Sequence, residues 1–288
     1  MINLRDQYDH LSLVFRNAAE YAKYRQKSFT QGASNTAKEF YQYTQARSDL
    51  KKEAPQGDGH PVLIIPAFTA NDLLSWPLRD LLSSKGYKAY AWKGGFNMGM
   101  TEKTAKHLAT RLEKIYKENG NQKVTIVGHS LGGFYARALA QEFPDMVRAV
   151  VTINTPFGVG MNKGAIPPTV LSTIDKLSDK KYSVDREGMA ERMLTPPPVP
   201  TTSIFSKSDR VSNWVVCLNP NTPLSENIEV NASHLGSIWH KDTLAVILER
   251  LSQPEGKWKP HQGALKTAHP PNPNWKPTPG TEKFFPKP

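Results

Sequence analysis

The sequence predicts an α/β chain built on a mostly parallel central sheet with helices on both faces. Three observations predict it. From residue 60 to residue 251, short apolar and β-branched runs alternate with amphipathic helical stretches, the pattern of strand–helix–strand crossovers. The flanks, residues 1–59 and 252–288, differ from this region in composition. In the middle, Val124-Thr125-Ile126-Val127 runs into Gly128-His129-Ser130-Leu131-Gly132-Gly133 and then Phe134 to Glu142. That reads as strand, tight glycine-bounded turn, helix.

The central elements follow in order. Val62 to Ile65 is a buried strand. Pro77 to Ser84 is a helix with proline early in its first turn, stopped by Lys85-Gly86. Tyr87 to Trp92 is a second strand. Thr101 to Glu118 is a long helix whose inward stripe is Leu108, Leu112, Ile115 and Tyr116, ended by Asn119-Gly120. Val124 to Val127 and Val147 to Ile153 are the third and fourth strands. Thr202 to Phe205 is the fifth, Ile228 to Val230 a short sixth, and Ile238 to Leu251 the closing helix. Residues 157–200 form a long insert between the fourth and fifth strands, with Pro167-Pro168 near one end and Pro196-Pro197-Pro198 near the other.

The flanks read differently. Residues 1–59 are polar, with helical spacing of Leu4, Tyr8, Leu11 and Phe15 followed by Ala18, Ala19 and Ala22, and Lys51 to Gly59 reads as a linker. Residues 252–288 are rich in proline, lysine and asparagine and predict an extended or disordered tail. Its Trp258, Trp275, Phe284 and Phe285 are the residues able to dock on the body.

Composition narrows the function classes. The chain has 288 residues and a formal net charge of +11, with mean hydropathy −0.52. No apolar stretch approaches the ~18 residues of a membrane span, and the first residues lack the apolar core of a signal peptide. The single cysteine, Cys217, excludes an internal disulfide and fits a reducing, cytoplasmic setting. Within Trp214-Val215-Val216-Cys217-Leu218 it reads as a small buried hydrophobe. No Cys/His spacing suits zinc, and no cofactor is expected. The lysines are scattered, and Lys257, Lys259, Lys266, Lys276, Lys283 and Lys287 all lie in the tail. Nucleic acid is therefore not an expected partner. Solubility is the plain reading of the charge, and weak peripheral attraction to acidic surfaces, anionic lipid among them, is the sharper one.

The chemistry centres on Ser130. A serine on a sharp turn between strand and helix projects its hydroxyl into a cleft, and the helix behind it offers its positive end to developing negative charge. The serine needs a base, and the base needs an acid to orient it. Asp209, in the loop directly after the fifth strand, is the candidate acid; Asp175, Asp179, Asp185 and Glu187 compete from the insert. His234, after the last short strand, is the candidate base. Its rival His240 falls inside the expected closing helix, and His129 reads as structural. The backbone N–H groups of Leu131 and Phe68 are the candidate oxyanion donors. Met98 and Phe157 are candidate substrate contacts.

These residues resemble the α/β-hydrolase superfamily on its lipase and esterase side. Three blocks carry the likeness: Ile65-Pro66-Ala67-Phe68, Gly128 to Gly133, and Ile153-Asn154-Thr155-Pro156-Phe157-Gly158. The last is similar to the Thr-Pro-aromatic-x-Gly turn of many bacterial lipases. The resemblance covers about residues 60–250 and implies ester hydrolysis by a serine triad of Ser130, Asp209 and His234. Pro66-Ala67 stands where lipases usually have His-Gly, which weakens the analogy at Phe68. A small-molecule ester or lipid is the implied substrate. Transfer of the acyl group to an acceptor other than water, and an inactive binding protein on the same fold, are the alternatives. The insert carries an apolar helical face, Ile166, Val170, Leu171, Ile174 and Leu177, expected to cover the acyl site as a lid; permanent packing on the sheet edge as extra core is the alternative.

Overall fold

The computed structural model describes residues 29–157, 166–182, 192–193, 195–220, 222–265 and Phe285, with side chains from residue 35 onward. The apolar stripe from Leu4 to Ala22, the acids Asp185 and Glu187, and the tail aromatics Trp275 and Phe284 lie outside the described residues.

The described chain runs α1 (Phe29–Glu53), β1 (Pro61–Ile65), α2 (Trp76–Ser84), β2 (Lys88–Ala91), α3 (Glu102–Glu118), β3 (Val124–His129), α4 (Leu131–Glu142), β4 (Val147–Ile153), α5 (Pro168–Leu177), β5 (Thr201–Ser206), β6 (Ser225–Val230) and α6 (Lys241–Leu251). The six strands form one sheet in the order β2-β1-β3-β4-β5-β6, and every neighbouring pair is parallel. The order reverses between β1 and β3. The loops that leave those two strands therefore diverge and open a crevice beyond their carboxyl ends.

Alternation along the strands divides the core between the two faces. Leu63, Ile65, Val124 and Ile126 join Leu108, Leu112 and Ile115 of α3 and Tyr135 and Leu139 of α4 on one side. Val62, Ile64, Val127, Val151 and Ile153 join Tyr43 of α1, Leu78, Leu81 and Leu82 of α2, and Leu244 and Ile247 of α6 on the other. In β4 the register shifts by one residue between Val147 and Ala149. That bulge lets Val147 and Val150 share a face while Val151 and Ile153 take the opposite one.

Local signals explain the ends of the elements. Thr101 caps α3 by accepting from the N–H of Thr104 at 3.1 Å. Trp76-Pro77 opens α2 with proline in its first turn. The expected closing helix from Ile238 is in fact two pieces. A 3₁₀ turn at Gly236–Ile238 is followed by α6, with His240 extended at its N-cap. The expected linker also shortens, because α1 continues through Glu53. Tail residues up to Leu265 have no regular structure, yet they are tied down: the N–H of Leu265 donates to Asn227 O at 2.7 Å and that of His261 to Glu226 Oε2 at 2.6 Å. Phe285 is buried beside Phe143, with ring centroids 6.1 Å apart. None of the helices described is long and apolar enough to cross a membrane.

Candidate active site

The site is assembled where β3 turns into α4. Ser130 is in a left-handed region, φ 50° and ψ −118°, a conformation a non-glycine residue adopts only under constraint. Two close approaches supply the constraint. A Cβ on Gly128 would stand 2.4 Å from Gly132 O, and one on Gly132 would stand 2.3 Å from Ile65 O. Only glycine at both places lets α4 start this close behind β3 and against the end of β1. The N–H of Ser130 donates to Ile153 O at 2.8 Å and ties the turn to β4.

Two loops bring partners to Ser130. His234, after β6, faces Ser130 Oγ through Nε2 at 3.0 Å. Its Nδ1 lies 2.6 Å from Asp209 Oδ2. Asp209 sits in the loop after β5, 4% exposed, and its other oxygen accepts the N–H groups of Val211 at 2.7 Å and Ser212 at 3.0 Å. A carboxylate holding those donors is fixed in orientation and hands its remaining oxygen to the imidazole. The two loops are joined to each other: Ser206 Oγ accepts the N–H groups of Ser208 and Ala232, both at 3.1 Å.

His129 does not face the serine. Its Nε2–H donates to the carbonyl of His234 at 2.8 Å, and Ser237 Oγ donates to that same oxygen at 2.8 Å. Burial and the neighbouring His234 push the His129 imidazole down to about 3. The ring is therefore neutral, in agreement with its Nδ1 being buried without a partner. The rival His240 lies at the α6 N-cap, with Nδ1 3.8 Å from Asp242. Among the insert acids, Asp179 caps α3, accepting the N–H of Glu102 at 2.7 Å, and Asp175 lies within α5. Asp209 is the acid that meets His234.

The N–H groups of Leu131 and Phe68 are engaged by no other group among the described residues. Leu131 opens α4, where an N–H has no acceptor within the helix. The loop that carries Phe68 is held by a residue to which no sequence motif gives a role. Asn97, fully buried, donates from Nδ2 to Pro66 O at 2.8 Å. Its backbone accepts from Thr69 at 2.7 Å and donates to Ala70 O at 2.8 Å. Tyr135 OH donates to its side-chain oxygen at 3.2 Å.

The two expected substrate contacts part company. Met98 is exposed in the loop that follows β2, as is Phe96. Phe157 is corrected to a core residue: it is wholly buried, and the Arg137 guanidinium lies 3.8 Å from its ring centroid. Burial also pushes Arg137 down to about 9, and stacking on the ring partly offsets that cost. Cys217 is buried, with its thiol pushed up by burial and by the charge of Asp209. The described residues hold no His/Cys/Asp/Glu group able to bind a metal.

Comparison with known proteins agrees with this topology. Residues 60–197 match the family model of the alpha/beta hydrolase fold. A mature-form lipase of Bacillus licheniformis, BlEst2, superposes with a TM-score of 0.50 at 16% identity, over 70% of this chain and 95% of that one. A structure reported for the metagenome-derived lipolytic enzymes LipS and LipT gives a TM-score of 0.49 at 17% identity, over 68% of this chain and 93% of that one. An uncharacterized protein of Saccharomyces cerevisiae is 37% identical over 54 residues, which are 18% of this chain. The match spans 8% of that curated relative's length. At these identities the structural likeness is one of fold. The family match and the parallel six-stranded sheet show that this chain has the α/β-hydrolase fold.

Proposed function

We propose that this protein is a serine hydrolase of carboxylic esters, with Ser130 as nucleophile, His234 as general base and acid, and Asp209 as the group that orients and stabilises His234. The observation that carries the proposal is the continuous chain from Ser130 Oγ to His234 Nε2 at 3.0 Å and from His234 Nδ1 to Asp209 Oδ2 at 2.6 Å, beginning at a strained turn. Ser130 Oγ attacks the ester carbonyl carbon while His234 Nε2 takes its proton. Negative charge gathers on the carbonyl oxygen, where the N–H groups of Leu131 and Phe68 receive it. The carbon–oxygen bond to the alcohol breaks as His234 returns the proton to the leaving oxygen. Water, deprotonated by His234, then releases the acid from Ser130. Asp209 stays ionised throughout and keeps Nδ1 protonated.

The apolar rim supports an ester with an aliphatic acyl group or a lipid as substrate. Leu73, Phe96, Met98 and Leu235 are exposed on loops that follow β1, β2 and β6, at the carboxyl end of the sheet, where Ser130 stands. The net charge of +11 supports weak attraction to anionic lipid surfaces. A fluorophosphonate probe tests the nucleophile, and p-nitrophenyl esters of increasing chain length test the substrate class. Wild-type protein is expected to label at Ser130. Ser130→Ala is expected to abolish labelling and lower kcat by on the order of 10⁶. Labelling at another residue, or retention of more than a few per cent of activity in Ser130→Ala, would overturn the assignment.

A further inference from the structure

Helix α1 precedes residues 60–197, the stretch that matches the hydrolase family model, yet one of its side chains reaches the loop that carries His234. Glu39 is buried, 8% exposed. Its Oε1 accepts the backbone N–H of Ser233 at 2.7 Å, and its Oε2 accepts the hydroxyl of the same serine. Ser233 directly precedes His234. Because the Ser233 hydroxyl gives its one proton to Glu39, its oxygen is left to accept the Thr36 hydroxyl at 3.1 Å and the N–H of Gly236 at 3.2 Å. Gly236 makes room for the carboxylate: a Cβ there would stand 1.8 Å from Glu39 Oε2.

The loop is thus gripped from two sides. Glu39 holds the residue before His234, and His129 and Ser237 hold the carbonyl of His234 itself. Helix α1 is seated firmly enough to serve as the outer support. Tyr43 OH donates to Pro77 O at 3.2 Å, Phe40 meets Trp239 edge-on at 5.3 Å, and Arg47 and Lys51 pair with Asp80 at 2.7 and 2.9 Å. Among the described residues, the hydrogen-bond partners of Glu39 are the two neutral donors of Ser233 and not a cation. A buried carboxylate so placed is a costly way to fasten a helix. It is an effective way to fix one backbone position, because it accepts from a main-chain N–H and from the hydroxyl of the same residue.

We propose that Glu39 is a positioning residue for His234: α1 lends the hydrolase core a carboxylate that fixes Ser233 and so sets the approach of His234 Nε2 to Ser130. This rests on the reading of Ser130, His234 and Asp209 as a triad. A displacement of about 1 Å at a reacting group costs on the order of 100-fold in rate, so loss of the tether should appear in the chemical step.

The test uses the full chain and two readouts, the rate of fluorophosphonate labelling of Ser130 and the separation of kcat from KM on a p-nitrophenyl ester. Glu39→Ala is expected to label roughly 10- to 100-fold more slowly and to lose kcat by the same factor, with KM nearly unchanged. Glu39→Gln keeps an oxygen for the Ser233 N–H, while its amide can donate to a Ser233 hydroxyl turned the other way; it is expected to recover most of the rate. Gly236→Ala, whose Cβ would intrude between Glu39 Oε2 and the Ser233 hydroxyl, should reproduce the Glu39→Ala pattern, and it decides the matter if Glu39→Ala does not fold. Wild-type labelling and kcat in folded Glu39→Ala, or in folded Gly236→Ala when the former is unfolded, would overturn the proposal. So would a Glu39→Gln protein as slow as Glu39→Ala. If wild-type protein itself does not label at Ser130, the triad reading falls and this inference falls with it. Normal labelling in both wild type and Glu39→Ala removes this inference alone.

Discussion

Asp209 shows how a single residue is committed to one role. One of its oxygens is occupied by the N–H groups of Val211 and Ser212, and the other meets His234 Nδ1. Asp209→Asn keeps the shape but presents either an amide N–H or a weaker carbonyl acceptor to the ring. The imidazole is then free to adopt the tautomer that cannot take the Ser130 proton. The expected result is a loss in kcat of about 10⁴, as for the equivalent change in a Ser-His-Asp triad, with the circular dichroism spectrum unchanged. A rate near wild type would move the acid elsewhere. Ser130, Asp209 and His234 were legible because each stands in a short loop directly after a strand, so chain order alone restricted the choice. Asn97 and Glu39 were not legible in that way. Their partners, Pro66 and Ser233, lie in different elements, and no local spacing marks a contact made across the fold. Phe157 illustrates the opposite error: an aromatic in a turn near the site suits a binding role on sequence grounds, but the stacked Arg137 absorbs it into the core.

At the scale of elements, the insert is the least ordinary part of the molecule. Its helix α5 buries no residue fully, yet Val170, Leu171 and Ile174 pack against the cluster that holds Met100, Leu131 and Phe134. Polar contacts fasten the insert just after α5 and again near its far end. Ser178 Oγ accepts the N–H of Met100 at 3.0 Å, and the N–H of Asp179 donates to Met100 O at 3.0 Å. On the return side, Arg137 donates to Met193 O at 3.0 Å, and Gln141 donates to Thr195 O at 2.8 Å. The insert thus has polar fastenings besides the apolar face of α5, and we propose that this face also covers the acyl site. Val170→Ser with Ile174→Ser removes half-buried methyl groups, a change worth on the order of 1–2 kcal/mol and a few degrees in Tm. The expected outcome is a much larger fall in kcat/KM for octanoate than for acetate esters. Equal losses on both, or a collapse in Tm, would assign the face to core packing. The strand and helix pattern of the sheet region was legible because strand alternation and the α3 stripe are local signals. The break at Trp239 was not. Periodicity runs on through Ile238 and Leu244, and the 3₁₀ turn is set by the hydrogen bonds of the His234 loop.

The whole molecule is made sensitive to acid by groups at opposite ends of its sheet. At the carboxyl end, His129 is buried and held neutral, its pKa pushed down to about 3 by burial and by His234. At the amino end, burial and the Arg148 charge also lower His60. Its Nε2 lies 3.0 Å from Thr125 Oγ1 and its Nδ1 meets Asp58. Burial alone would raise Asp58, but the hydrogen bonds from His60 and Arg148 outweigh it and leave the carboxyl at about 2. All three shifts carry the same sign. An unfolded chain protonates histidine below about pH 6.5 and aspartate below about pH 4, while the folded chain resists both. Stability is therefore complete above about pH 6.5. It falls as the pH drops toward 3, where His129 titrates in the folded state, and Asp58 extends the loss from about pH 4 toward pH 2. Holding His129 neutral down to about pH 3 corresponds to on the order of 5 kcal/mol across that window. His129→Gln, whose amide can still donate to the carbonyl of His234, removes that titration without removing the hydrogen bond. Thermal melts of the two proteins should then diverge in slope between about pH 6.5 and about pH 4, with the variant losing Tm more slowly as acid is added. Parallel curves across that range would mean that His129 takes its proton in the folded chain as readily as in the unfolded one.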